Sequence, residues 1–177
     1  MIYNDIMVDL ETLGINNSAV IIAIGAVAFN AEGLCKDTFY EVVDPTSCTD
    51  IGMQIDASTV MWWMKQSDAA RKAFDRPGIH IEKALNHFAE WIHAWTGPEP
   101  LLWGNGATFD NIILGNAYAL ADIKKPWGNF NDRCYRTLKA MYPTIKAAKT
   151  GTAHNALDDA KNQALHAIAL LKHAKVW

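Results

Sequence analysis

Met7-Val8-Asp9-Leu10-Glu11-Thr12-Leu13-Gly14 is the stretch from which the rest of the chain is read. It sets two carboxylates one residue apart at the end of an apolar run. That run, Ile2 through Val8, is aliphatic enough for a buried strand, and Gly14 supplies the break that ends it. Residues i and i+2 of a strand project from the same face. Asp9 and Glu11 therefore point together, two negative charges at the edge of a core. Such a pair is costly unless something positive sits between them, and a hard divalent cation is the simplest answer. The plainer reading is that Glu11 begins a solvated turn.

The 177 residues suit one domain, 1–177, with a proper core. Half are hydrophobic and a fifth charged, an ordinary globular composition. No apolar run approaches the roughly 20 residues of a membrane helix, and no basic segment precedes an apolar leader. A soluble, cytoplasmic protein is expected. Cys35, Cys48 and Cys134 are odd in number and scattered, which suggests neither a disulfide framework nor a zinc site.

The net charge of −3 does not advertise a nucleic-acid binder, but its distribution is uneven. Residues 1–123 carry a balance of −10, whereas residues 124–149 carry +6 from Lys124, Lys125, Arg133, Arg136, Lys139, Lys146 and Lys149 against Asp132 alone. A basic segment beside an acidic body suits a protein that touches phosphates on one side. Solvated surface lysines would give the same count.

Along the chain, residues 19–29 read as a long buried strand and residues 38–43 as a third, joined by turns around Ile15–Ser18 and Asn30–Gly33. Three strands on short turns imply an antiparallel meander, closed by Asp44-Pro45. From Asp56 or Ser58 the pattern turns helical, with Val60, Met61, Trp63 and Met64 on a first helix and a second stretch from about Asp68 to Pro77. Residues 79–95 are amphipathic, and Trp91, Trp95 and Trp103 read as core. Leu101–Trp103 makes a short strand, and residues 108–121 a helix. A strand or loop near residues 130–132, a helix over 135–141 and a long final helix to Lys175 complete the order. A meander followed by alternating helices and strands indicates an α/β fold: a mixed sheet with helices packed on it.

Two later places repeat the opening theme. Phe109-Asp110 puts an acid in the first turn of a helix after a strand, and His154-Asn155-Ala156-Leu157-Asp158-Asp159 puts a histidine before the last helix with an acid five residues on. Taken singly, each acid is explained by helix capping. Taken with Asp9-Leu10-Glu11, the ordered set resembles the DEDDh family of 3′–5′ exonucleases, which includes polymerase proofreading subunits, oligoribonuclease and RNase T. The resemblance spans nearly the whole chain. The Trp62-Trp63 pair and the length look closest to the exodeoxyribonuclease VIII-like and bacterial exoribonuclease-like branch. One departure is Asn105-Gly106-Ala107, where many members have His-Asn-Ala.

The resemblance implies an RNase H-like fold, with the antiparallel meander continued by parallel strands. It also implies hydrolysis of phosphodiester bonds at a free 3′ end of single-stranded DNA or RNA by a two-metal mechanism. Asp9, Glu11, Asp110 and Asp159 would hold two Mg²⁺ or Mn²⁺ ions. His154 would be the general base, a role suited to the side chain that exchanges a proton near neutral pH. Asp158 would be a neighbour, because the five-residue step selects Asp159. Substrate contacts would fall to Thr12 at the terminal sugar, Ile15 at the last base step, Trp62 or Trp63 at a base face, and Asn105. No membrane partner is implied, and a homodimer is left open. Two other readings compete. A haloacid-dehalogenase-like phosphatase also opens on strand and paired acids, but it needs a helix where a strand pair follows here. A catalytically inactive nucleic-acid-binding domain would keep the fold, yet all five functional positions are present.

Overall fold

In the computed structural model, which describes residues 3–177, the opening run forms β1 (Tyr3–Thr12) and continues through both carboxylates. Ile2, expected at the head of this strand, lies outside the described residues. β2 (Ile21–Asn30) and β3 (Gly33–Val42) complete an antiparallel meander with β1. β3 starts at Gly33 rather than Thr38. The Asn30 side-chain oxygen accepts from the Glu32 and Gly33 N–H groups, a tight turn that lets Gly33 and Leu34 pair with Asn30 and Phe29, while Lys36 and Asp37 lie in the irregularity before pairing resumes at Thr38.

Helices follow. α1 (Pro45–Asp50) was not expected; Asp44 caps it at Thr46 N and Pro45 opens its first turn. α2 (Ala57–Trp63) is capped by Asp56, and the stretch expected from Asp68 is a 3₁₀ turn over Ala70–Asp75. α3 (Ile81–Trp95) begins after Ile79, which bridges instead to Val43. β4 (Thr96–Gly104) is longer than the expected Leu101–Trp103. It meets β1 at Thr96 and again from Leu101, with Pro98 in the irregular span between. Then come α4 (Asp110–Leu120), β5 (Asp132–Cys134), α5 (Tyr135–Met141) and α6 (Ala156–His173). No helix among the described residues is long and apolar enough to cross a membrane.

The sheet order is β3-β2-β1-β4-β5, with β1, β4 and β5 parallel. This is the mixed sheet expected from the sequence. The alternation of β1 divides the molecule. Ile6, Val8 and Leu10 join the core with α3 and α4, whereas Met7 joins a second core with Phe29, Trp103 and the buried stripe of α6. Burying each large side chain contributes about 1.5–3 kcal/mol, so a one-residue slip of β1 would be costly. Trp91 and Trp103 are core, but Trp95 stays partly exposed and donates its indole N–H to Asp37. Behind α5, His166 of α6 accepts from the Tyr135 hydroxyl at 2.7 Å and donates to the Ile145 carbonyl at 2.9 Å, tying the 142–153 loop to both helices.

Candidate active site

Asp9 and Glu11 continue the Met7 row and so face α6. Glu11 lies within the strand and is only 8% exposed, which removes the reading of a solvated turn. Asp9 is half-buried, and its Oδ1 accepts from Gln163 Nε2 at 2.7 Å.

Asp110 is the first residue of α4 but caps nothing there. Its Oδ1 accepts from Leu10 N at 3.2 Å and its Oδ2 from Asn105 N at 2.9 Å, which locks the acid between β1 and the end of β4. Gly104 leaves the room: a Cβ there would stand 2.4 Å from Asn111 Oδ1 and 3.0 Å from Asp110 Oδ2. Arg136 donates to the Asn105 carbonyl, and its charge favours ionised Asp110.

His154 and Asp159 flank the start of α6, where Asn155 accepts from Asp158 N as the cap. His154 has φ 63°, in the left-handed region that histidine enters more readily than most residues. Its N–H donates to Asp159 Oδ2 at 2.9 Å. Asp158 instead accepts from Thr152 N at 2.9 Å and braces the loop. One donor atom each from Glu11, His154 and Asp159 lies within 4.8 Å of the other two. Gly25, paired with Asp9 across the sheet, makes this approach possible. A Cβ at Gly25 would fall 2.2 Å from the Ala156 carbonyl carbon, so the first turn of α6 rests on bare backbone.

The charges are poorly compensated. Burial, then Asp110, Glu11 and Asp159, hold the Asp9 carboxyl well above its ordinary range, while the Gln163 hydrogen bond opposes them. Glu11 is pushed up to about 8 by burial, Asp159 and Asp110. Asp110 rises to about 6 through burial, against the pull of the Leu10 and Asn105 N–H groups. Among the described residues, no lysine or arginine forms an ion pair with any of the four carboxylates. Hard oxygen donors, crowded and without a protein cation, are the donor set a divalent metal requires. The group fits.

Two cavities meet at Leu10 and Glu11. The first, about 450 Å³, has Thr12, Gly14, Ile15, Trp62, Trp63 and Phe109 in its wall. The second, about 420 Å³, holds Asp9, Asn105, His154 and Asp159 together with Lys139 and Lys149. The expected substrate contacts thus divide between them. Thr12 is buried, its hydroxyl donating to the Gly14 carbonyl at 2.7 Å and its own carbonyl accepting the Trp63 indole N–H at 2.9 Å. Trp63 is a wall of the core. Trp62 is half-exposed and meets the His154 ring edge-on at 5.1 Å, and Ile15 is 74% exposed at the mouth. Asn105 turns to the second cavity, its Oδ1 buried without a partner among the described residues. The basic segment divides too. Arg136, Lys139 and Lys149 lie near the carboxylates, whereas Lys124 and Lys125 gather around Pro98 and Glu99 at the far end of β4.

Sequence reasoning missed Gln163 and placed Arg136 and Lys149 only within the basic segment. Gln163 left a signal: a polar residue one turn after Asp159, inside the alanine stripe of Ala160, Ala164 and Ala167.

Among curated proteins, none matches the chain. Solved structures match over nearly its full length. The nuclease domain of 3′hExo, a DEDDh family member bound to rAMP, superposes with TM-score 0.65 at 19% identity, covering 97% of this chain and 93% of that one. A full-length 3′-exonuclease gives 0.62 at 20% identity over 98% and 84%. Exonuclease X in complex with 5′ overhanging duplex DNA gives 0.61 at 16% identity over 98% and 93%. At these identities the likeness shows the RNase H-like fold. The sequence itself matches the model of the 3′–5′ exoribonuclease Rv2179c-like domain over residues 4–171, a span that contains all the acids and the histidine described above. The chain therefore belongs to the Rv2179c-like family and is a 3′–5′ exonuclease.

Proposed function

We propose that the chain works as one exonuclease domain that removes nucleotides from the free 3′ end of single-stranded nucleic acid, with RNA as the first substrate to consider. The observation that carries this reading is the crowding of four carboxylates from three distant segments, Glu11 and Asp159 within 4.8 Å of His154 and Asp9 and Asp110 near enough to press on them as charges, with no protein cation among the described residues paired to them. Two Mg²⁺ or Mn²⁺ ions held by Asp9, Glu11, Asp110 and Asp159 would supply Lewis-acid activation and offset charge on the phosphoryl oxygens. Backbone N–H groups hold Asp110 and Asp159 in place for that task. His154 stands on its loop with its ring against Trp62 and takes the proton of the attacking water.

The 450 Å³ cavity receives the terminal nucleoside, with Thr12 and Ile15 beside sugar and base and Trp62 offering a ring face. Stacking of this kind contributes about 1–3 kcal/mol per base. The preceding phosphates leave through the second cavity past Asn105, Lys139 and Lys149. The RNA preference is supported by the family's description and by the rAMP complex of 3′hExo; the DNA complex of Exonuclease X supports DNA as the other arm.

The test uses matched single-stranded RNA and DNA oligomers, 5′-labelled, with Mg²⁺, Mn²⁺ or EDTA. A ladder that shortens from the 3′ end and vanishes in EDTA is expected. Internal cuts, or activity untouched by EDTA, would overturn the reading.

A further inference from the structure

The carboxylates of the site are not all held in the same way. Asp110 accepts from two main-chain N–H groups and Asp159 from one, so the backbone itself fixes them. The Asp9 carboxylate has a single hydrogen-bond partner among the described residues, and it is a side chain: Gln163 Nε2, 2.7 Å from Oδ1. A carboxylate accepts only, so the amide must present its N–H to Asp9. Gln163 stands one turn beyond Asp159, among Ala160, Ala164 and Ala167, and is 8% exposed. Its Oε1 is buried without a partner among the described residues. Buried polar atoms are normally satisfied, and an unbranched apolar side chain would fill this place without stranding an oxygen. Packing alone gives no reason for glutamine here. The neighbouring carboxylate does.

We infer that Gln163 is a positioning residue for Asp9. Its amide N–H fixes one oxygen of the carboxylate against the push of Glu11, Asp110 and Asp159 and leaves the other for a divalent ion. The inference rests on the metal-dependent reading above. Groups that orient a ligand from behind typically account for 10–100-fold in metal affinity.

The test titrates Mn²⁺ into the full chain by calorimetry, comparing wild type with Gln163→Met, a side chain of similar length and no donor. Gln163→Leu is the second variant should the first not fold. Melts in EDTA and oligonucleotide kinetics across Mn²⁺ concentrations accompany it. The Mn²⁺ Kd should rise about 10–100-fold while the metal-free melting temperature stays level or rises. KM for the oligonucleotide should hold, and kcat should recover at saturating Mn²⁺. Added to Asp9→Asn, Gln163→Met should weaken Mn²⁺ no further, because it acts through Asp9. A variant that binds Mn²⁺ within twofold of wild type and melts lower in EDTA would make Gln163 a packing residue and overturn the inference. Wild type that binds no Mn²⁺ would instead overturn the metal reading beneath it.

Discussion

At the scale of residues, the site is a set of acids that differ in what holds them. Asp9→Asn, Asp110→Asn and Asp159→Asn should each abolish 3′-end cleavage while leaving the circular dichroism spectrum intact; ordinary turnover in any one of them would remove that residue from the site. His154→Ala should slow cleavage by about 10²-fold or more, the usual scale for a general base. Its Mn²⁺-induced melting shift should be largely kept. A lost shift would make His154 a ligand rather than a base, a live distinction because a ring nitrogen lies within 4.8 Å of a carboxylate oxygen of both Glu11 and Asp159. That Asp9 and Glu11 share a face was legible, since strand parity is local. The five-residue step points to Asp159 over Asp158, and in the fold Asp158 turns instead to the Thr152 N–H. The partners of Gln163 and Arg136 were not legible, because they lie 154 and 31 positions away and only the folded chain brings them near.

At the scale of elements, two glycines make opposite predictions. Gly25→Ala would drive a methyl into the Ala156 backbone and push the start of α6 off the sheet. A displacement of about 1 Å at a reacting centre costs on the order of 10²-fold, so cleavage should fall at least that far, with a lower melting temperature. Gly115→Ala, inside α4 with nothing nearer than Trp127 at 4.0 Å, should instead stabilise by about 0.5–1 kcal/mol and leave cleavage unchanged. If the two variants behave alike, close approach at Gly25 is not what seats α6. The basic residues separate in the same manner. Lys139→Gln/Lys149→Gln should flatten the salt dependence of single-strand binding by about 0.7 in slope per lost contact, and Lys124→Gln/Lys125→Gln should not. Equal slopes would return all four lysines to a solvated surface. The sequence count could not make this division: only in the fold do Lys139 and Lys149 line the carboxylate cavity, while Lys124 and Lys125 line another with Pro98 and Glu99. The missed α1 has a different cause: Asp44-Pro45 reads equally as the end of a strand and the cap of a short helix. The early start of β3 is a tertiary effect: Gly33 and Leu34 pair with Asn30 and Phe29, and the poor strand formers Lys36 and Asp37 are accommodated in a bulge.

At the scale of the whole molecule, folding gathers charges that the unfolded chain keeps apart. Glu11, raised from an ordinary 4.5 to about 8, and Asp110, raised to about 6, make the metal-free fold favour their protonated forms. The stability this lends is full below about pH 4 and is lost as pH climbs through about 6 and then about 8. The melting temperature in EDTA should therefore fall across that window, and saturating Mn²⁺ should flatten the fall. A hundredfold excess of metal over Kd adds about 2.7 kcal/mol, a rise of several degrees for a chain of this size. Asp9→Asn/Glu11→Gln should show less of that rise and melt higher than wild type in EDTA. An equal metal shift in both proteins would mean that these two acids do not hold the ions.

The distance along the chain between the two halves of the site has a consequence for the protein's birth. β1 is made before α6, which carries Asp159 and positions His154. At about 5–20 residues per second, roughly 8–30 s of synthesis separate Asp9 from Gln163, 154 positions later. For all of that time the nascent chain lacks the half of its carboxylate site that α6 brings. Only when α6 clears the ribosome and lies down against Gly25 does the nuclease come into being.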